Sequence, residues 1–457
     1  MIRSAEVGDP EAVGSESRGK QGRGRILAEP GSTGSAFGVG ARAVAILAGA
    51  QRQKITTGAP LRLIATCPEE TKAALVHELE DLGATDLAPG FRAVSFEATE
   101  ALFYELHLKL RTASRILRVI KEVPAKSPPM LYSQARRIRW CDLFDVQHGF
   151  LVESLGAEAE GGMPPRQVIT QVRESIRDVF NRELGRAPPV ELTEPRVVVV
   201  AHLENGRCML SLDTSGKSLH KRGYREPGHP APLKETLAAA ILIMAGYDGS
   251  QAFLDPMCGS GTLAIEAAMI AVRKAPRIHR KKGEFYFEWL KGFDRALWRT
   301  VQERVRAEKL EAPPAPVLAS DIDARYVAMA QKSALKARVE RYMTFATRRI
   351  QDAEPPAERG LLVTNLPYGD RIGSQEGDIR LLYEEVGDTL KQRFSGWQAA
   401  ILAAEASPYK AIGLKPSRTL RLMNGSIPCR LLLFDLYAGS RRTVESSRIT
   451  VRTACRS

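Results

Sequence analysis

The stretch "AFLDPMCGSGTLAIEAAMIA", Ala252 to Ala271, decides the fold. It opens with a short apolar run, turns through Gly259 and Gly261, and continues as a small-residue apolar helix. Two glycines at this spacing permit a tight strand-to-helix turn, and their bare backbone lets a ligand approach free helix N–H groups. With Ala264 the loop satisfies the G-x-G-x-x-G/A dinucleotide pattern, which on its own is weak. Asp255 stands just before the loop. A carboxylate there repels a pyrophosphate and suits a ligand carrying an ammonium group.

Working outward, "PVLASDID" (316–323) reads as a second strand ending in Asp321 and Asp323 and leading into a helix. Its acidic end lies well beyond the roughly 20 residues usual for a dinucleotide-binding unit, because an insertion fills the gap. "LLVTNLPYGDR" (361–371) is a strand running into Asn365, Leu366, Pro367 and Tyr368. Helices around "APLKETLAAAILIMAGY", with Pro232 near its first turn, and "IRLLYEEVGDTLKQRF", and a strand at "QAAILAA", complete the region. Alternating strands and helices predict a parallel, doubly wound sheet whose ligands sit at the strands' carboxyl ends.

The amino-terminal half is patterned differently. "LRLIATC", "RAVSFEA" and "RILRVIKEV" read as strands separated by two helices, which suggests a small α+β unit of ferredoxin-like type. A second unit follows from "GFLVES", with the helix "PRQVITQVRESIRDVFNREL" and two apolar runs joined by Asn205-Gly206, a hairpin signal.

The chain has 457 residues, enough for about three domains. Its 66 Lys+Arg against 53 Asp+Glu give a formal charge of +13, which favours polyanionic partners, nucleic acid before anionic membrane. The six cysteines form no C-x-x-C pair and no His completes a zinc site, so the reading is a cytoplasmic protein without a structural metal. No apolar run is long enough to span a bilayer. Residues 1–57 read as a disordered, Gly/Ser/Arg-rich leader and 441–457 as a flexible basic tail.

Taken together, "LDTSGKSLHKRGYREPGHPAPLKETLAAAIL", "FLDPMCGSGTLAIEAAMIA" and "NLPYGDR" resemble the THUMP-containing guanine-N2 methyltransferases of large-subunit ribosomal RNA, within the class I S-adenosylmethionine-dependent enzymes. The resemblance implies an α/β fold: a Rossmann-like class I methyltransferase sheet over 216–440, with an amino-terminal ferredoxin-like unit (58–125) and a THUMP RNA-binding unit (126–215). It implies S-adenosylmethionine as methyl donor, RNA as partner, and methylation of the exocyclic N2 amine of guanine. Carried over by position, Asp255, Pro256, Cys258, Gly259, Gly261 and Thr262 line the methionine side of the donor. Asp321 holds the ribose hydroxyls with Asp323 beside it, and Asp352 in "RRIQDAEPP" meets the adenine amine. Asn365, Leu366, Pro367 and Tyr368 inherit catalysis. The family commonly reads N-P-P-Y, so Leu366 is a departure, although its role there belongs to a backbone carbonyl.

The bland alternatives are specific. Single Asp residues at strand ends are often helix caps or turn formers, and Asn-Leu-Pro can be an ordinary turn with Tyr368 as a core aromatic. Other substrates compatible with the motifs are tRNA guanine and DNA adenine at N6, and a third reading is an RNA-binding assembly protein without turnover. Pyrimidine C5 methylation through a cysteine falls away, because Cys258 faces the donor loop and Cys429 lies in a buried strand pattern. The insert 273–299 mixes Arg and Lys with Phe285, Tyr286, Phe287, Trp289 and Trp298, suited either to phosphate contact with base stacking or to packing as a helical cap. "ARRIRW" (135–140), "HKRGYR" (220–225) and Arg371 are further candidates for phosphate contact.

Overall fold

The computed structural model describes residues 59–155, 163–228, 233–367 and 376–437. The expected leader, the tail, Pro232, Tyr368 and Arg371 lie outside the described residues.

In the amino-terminal half, β1 (Leu61–Thr66), α1 (Lys72–Leu82), β2 (Thr85–Gly90), β3 (Ala93–Ala98), α2 (Glu100–Lys109) and β4 (Arg115–Pro124) follow as βαββαβ. Their spatial order, β2-β3-β1-β4, is the ferredoxin-like arrangement. The sequence pattern missed β2 because almost every residue in it is exposed, so no alternation of apolar residues marks it. It is an edge strand with a bulge between Thr85 and Ala88, where Asp86 takes a positive φ.

Next come α3 (Pro128–Ala135), β5 (Phe150–Leu155), α4 (Pro165–Leu184), β6 (Val197–Glu204) and β7 (Arg207–Asp213). The β6–β7 hairpin turns at Asn205-Gly206, with φ of 49° and 70°. Strand β4 pairs with β1 on one side and β7 on the other, so the two α+β units share one seven-stranded sheet.

The second half contains α5 (Glu235–Met244), β8 (Ala252–Asp255), α6 (Thr262–Ala271), α7 (Arg295–Ala307), β9 (Val317–Asp321), α8 (Ala324–Lys336), β10 (Thr344–Thr347), β11 (Gly360–Asn365), α9 (Glu376–Arg393), β12 (Gln398–Ala404), β13 (Arg418–Asn424) and β14 (Ile427–Asp435). Its sheet runs β10-β9-β8-β11-β12-β14-β13, parallel from β10 to β12, with β14 antiparallel to both neighbours. This is the Rossmann-like class I methyltransferase order. The chain direction across the sheet reverses between β8 and β11, the switch point where ligands of such sheets bind.

The basic, aromatic segment between α6 and β9 does not present its largest rings to solvent. Phe285, Phe287 and Trp298 are buried against Phe103, Tyr104 and His107 of α2. Ring centroids lie 5.5 Å apart for Phe103–Phe287 and 5.6 Å for Tyr104–Trp298. Packing therefore accounts for these three rings, and the surface they cover belongs to the amino-terminal half as well as to the second half. Trp289 stays half-buried under the Arg196 guanidinium, 4.4 Å from its ring centre.

"HKRGYR" is also corrected in part. Arg222 has a fully buried side chain paired with Glu266 of α6 through Nε–Oε1 at 2.6 Å and Nη2–Oε2 at 3.1 Å, and the Tyr224 hydroxyl donates to the same carboxylate. These two side chains hold the seam together and are inaccessible to RNA. Arg277, buried as well, donates to the carbonyls of Leu106, His107 and Leu110 at the carboxyl end of α2, and of Leu219. A cation at that end of a helix meets the negative pole of its dipole. By contrast, Arg136, Arg137 and Arg139 of "ARRIRW" are exposed.

Candidate active site at the switch point of the second sheet

Asp255 ends β8 and is almost completely buried. Its Oδ1 accepts from Met257 N at 3.3 Å. Burial pushes its carboxyl up to about 8, reinforced by the nearby Asp321, while backbone and side-chain donors, Thr364 among them, oppose the shift. Thr364 Oγ1 nevertheless makes no well-formed hydrogen bond among the described residues. The site therefore holds a carboxyl that an incoming cation would ionise.

The loop after β8 turns through Gly259 (φ 52°) and Gly261 (φ 81°) into α6. Gly261 caps α6 in the left-handed region, and a Cβ on it would lie 2.8 Å from the Ala330 Cβ of α8. So Gly261 serves two ends, the turn itself and the close approach of α6 to α8. Pro256, Ser260 and Thr262 are buried beside it. Cys258 is buried too, and burial, with the negative potential of Asp255 and Asp321, pushes its thiol well above the ordinary range. It remains a protonated packing group and no nucleophile.

Asp321 ends β9. Its Oδ2 accepts from Gly259 N at 2.9 Å and its Oδ1 from Asp323 N at 3.0 Å, so one carboxylate ties the glycine loop to the next strand end. A carboxylate accepts about four hydrogen bonds, which leaves capacity for hydroxyl groups. Asp323 is the N-cap of α8, accepting from Arg325 N at 2.8 Å and pairing with the Arg325 guanidinium. The helix-cap alternative thus describes Asp323. Asp352 is exposed in a short 3-10 turn after β10.

Sequence patterns did not single out Ile322, which is 67% exposed between Asp321 and Asp323. An apolar side chain held in water at the mouth of a polar site suits the face of a flat ring. Its signal was available: an isoleucine between two acids at a strand end has no core to enter.

Asn365 ends β11, next to β8 in the sheet. Its Oδ1 is buried and has no hydrogen-bond partner among the described residues. A buried acceptor without a donor costs roughly 1–3 kcal/mol, so its place here calls for a ligand donor. Leu366 is fully buried among Leu254, Ile350, Leu362 and Tyr383, and its N–H donates to the Leu402 carbonyl of β12 at 3.0 Å. That explains the departure from N-P-P-Y: the leucine side chain anchors the turn in the core where a proline would stiffen it. The Tyr383 hydroxyl of α9 donates to the Pro367 carbonyl at 3.3 Å, a positioning contact that the helix pattern of "IRLLYEEVG" gave no reason to expect.

Three stretches match known families in chain order: the RlmL ferredoxin-like domain at residues 62–117, the THUMP domain at 125–213 and the RMKL-like methyltransferase domain at 222–432. A Synechocystis protein assigned as an RNA methyltransferase is 35% identical over 82% of this chain and 96% of its own length. The large-subunit ribosomal RNA methyltransferase K/L of Shewanella sp. strain MR-4 is 34% identical over 84% of this chain, and the chain spans about half of that relative's length (54%). Among solved structures, SMU.472, assigned as a methyltransferase and complexed with SAH, superposes with a TM-score of 0.73 at 28% identity, covering 84% of this chain and all of the other. A Listeria monocytogenes protein described as a predicted N6-adenine-specific DNA methylase gives 0.73 at 25% identity, covering 83% of this chain and 97% of its own. With all three domains in order and a relative matched over nearly its whole length, the chain belongs to the RlmK/L-like family of SAM-dependent RNA methyltransferases.

Proposed function

We propose that this chain methylates the exocyclic N2 amine of a guanine in large-subunit ribosomal RNA, in the cytoplasm, using S-adenosylmethionine. The single observation that carries the chemistry is the buried Asn365 Oδ1, without a hydrogen-bond partner among the described residues, at the end of β11, beside the strand that ends in Asp255. The donor supplies an electrophilic methyl group on a sulfonium. The residues fit it by their own chemistry: Asp255 for an ammonium, the bare Gly259–Gly261 backbone for close approach, Asp321 for ribose hydroxyls and Ile322 for the adenine face. Asp352 for the adenine amine completes the proposed set, with Asp323 acting through the start of α8.

The guanine amine is a poor nucleophile because its lone pair is delocalised into the ring. Asn365 Oδ1 and the Leu366 carbonyl accept its two hydrogens, which favours pyramidal nitrogen and aims the lone pair at the methyl. As the N–C bond forms and the C–S bond breaks, positive charge develops on nitrogen, stabilised by these two acceptors. One N–H proton then passes to water, which restores a neutral amine. The catalysis is positioning and electrostatics. Pro367, held by Tyr383, fixes the turn, and Tyr368 stacks on the extruded base.

RNA is favoured over DNA by the THUMP domain and by the names of the K/L relatives, although N-x-P-Y serves any exocyclic amine. The test is mass-spectrometric mapping of methylated bases in total RNA and DNA from cells lacking the gene, complemented with the wild type or with Asn365→Ala. Loss of one large-subunit N2-methylguanine in both the deletion and the Asn365→Ala strain supports the reading. Loss of a tRNA methylguanine or of DNA N6-methyladenine instead moves the substrate. Loss in the deletion alone removes Asn365 from catalysis.

A further inference from the structure

Helix α8 leads away from Asp321 for 13 residues, about 20 Å at 1.5 Å per residue. At its far end, a cavity of about 180 Å³ lies between the last turns of α7 and α8 and the segment that follows α6. Five basic side chains line it, Lys274, His279, Arg306, Lys309 and Arg338, over an apolar floor, and no carboxylate among the described residues does.

Basic residues at helix carboxyl ends often serve the helix, and Lys274 does so in part: its Nζ donates to the Ala337 carbonyl at 2.8 Å. Lys309 lies over the Tyr342 ring, 5.1 Å from its centre. That leaves His279, Arg306 and Arg338, whose side chains have no hydrogen-bond or ion-pair partner among the described residues, at the exposed rim. Nearby acids are engaged elsewhere, Glu308 with Lys109 and Glu266 with Arg222. Burial, reinforced by the charges of Lys309 and Arg338, holds the Lys274 amine down at about 8. Burial and the surrounding cations hold the His279 imidazole down at about 4, so it is neutral near pH 7. The four remaining cations, Lys274, Arg306, Lys309 and Arg338, repel one another, and an anion would offset that repulsion.

We propose that this cavity seats a phosphate group, supplied as a backbone phosphodiester of the RNA substrate, anchoring the RNA at a point remote from the methylated base. The proposal rests on RNA being the substrate. A buried lysine at the bottom with arginines at an open rim matches a phosphate entering on a chain, and phosphate contacts set register without reading sequence.

The test compares the wild type with Arg306→Gln/Arg338→Asn, asparagine being chosen because residue 338 has a φ of 56°. Binding of transcribed large-subunit ribosomal RNA is followed by fluorescence anisotropy across a salt series. S-adenosylmethionine binding by calorimetry reports on the fold. The expected result is a several-fold weaker RNA affinity near 0.1 M salt, with the slope of log K against log salt reduced by about 1 and donor affinity unchanged. Inorganic phosphate should raise the thermal midpoint of the wild type and not of the variant. If the phosphate effect disappears in the variant while RNA affinity and slope are unchanged, the cavity serves a free phosphate-bearing ligand and the RNA placement is overturned. If neither changes, the phosphate seat itself is overturned. Asn365→Ala should lose methylation while keeping the salt slope of the wild type, because its side chain is neutral and meets no phosphate, so loss of the methylation reading and loss of this inference are seen separately.

Discussion

Gly259 donates its backbone N–H to Asp321 Oδ2 across 2.9 Å. The bond joins the loop after β8 to the end of β9, so the two halves of the proposed donor site are set by one carboxylate. Asp321→Asn keeps an oxygen for Asp323 N and turns an amide N–H toward Gly259 N–H. An unmade bond of this kind costs roughly 1–3 kcal/mol, so S-adenosylmethionine binding measured by calorimetry should weaken by about one to two orders of magnitude. Equal affinity in the variant would remove Asp321 from the donor site.

If Asp255 meets the donor's ammonium as proposed, donor binding is pH-dependent. Its carboxyl is raised to about 8 in the ligand-free protein, so at pH 6 the group is protonated and must lose a proton to meet an ammonium. Affinity should therefore rise with pH between 6 and about 8, at up to tenfold per unit, and Asp255→Asn should flatten that rise while weakening binding at pH 8. The sign for stability is opposite. The folded protein holds the proton more tightly than the unfolded chain, so ionisation as pH rises from about 4 to 8 destabilises the native state. At pH 8 Asp255→Asn should have a higher thermal midpoint than the wild type in the absence of donor; a lower one contradicts the buried-acid account.

Gly261→Ala places a Cβ 2.8 Å from Ala330 Cβ at a φ of 81°. Strain of about 1–3 kcal/mol from the backbone adds to the clash. Denaturation should show a clear loss of stability together with loss of donor binding, and Ala330→Gly should recover part of the stability only, since it relieves the clash and leaves the φ strained.

The seam between the halves depends on a buried ion pair. Removing Glu266 leaves the Arg222 guanidinium charged, buried and without its carboxylate, a loss of about 3–5 kcal/mol. Glu266→Gln should lower the unfolding midpoint strongly, and Arg222→Met/Glu266→Leu should be more stable than Glu266→Gln alone. If the single variant is as stable as the wild type, the pair does not hold the seam.

The sequence alone determined the second sheet and the loops at the carboxyl ends of its strands, where the proposed site lies. Glycines between a strand and a helix, acids at strand ends and Asn365-Leu366-Pro367 are local patterns, because each role is set by residues adjacent in the chain. It also determined the ferredoxin-like character of the amino-terminal half, apart from β2, whose exposed residues carry no alternation. Tertiary structure alone decided what long-range burial controls. Composition left Phe285, Phe287 and Trp298 open between an RNA-stacking surface and a packed cap, and only packing against α2 decided for the core. Arg222 read as a phosphate contact until Glu266, 44 residues later, neutralised it in the interior. The raised carboxyl of Asp255, the buried oxygen of Asn365 and the basic cavity beyond α8 have the same origin: burial and convergence depend on which distant residues surround a group, and no local pattern encodes that.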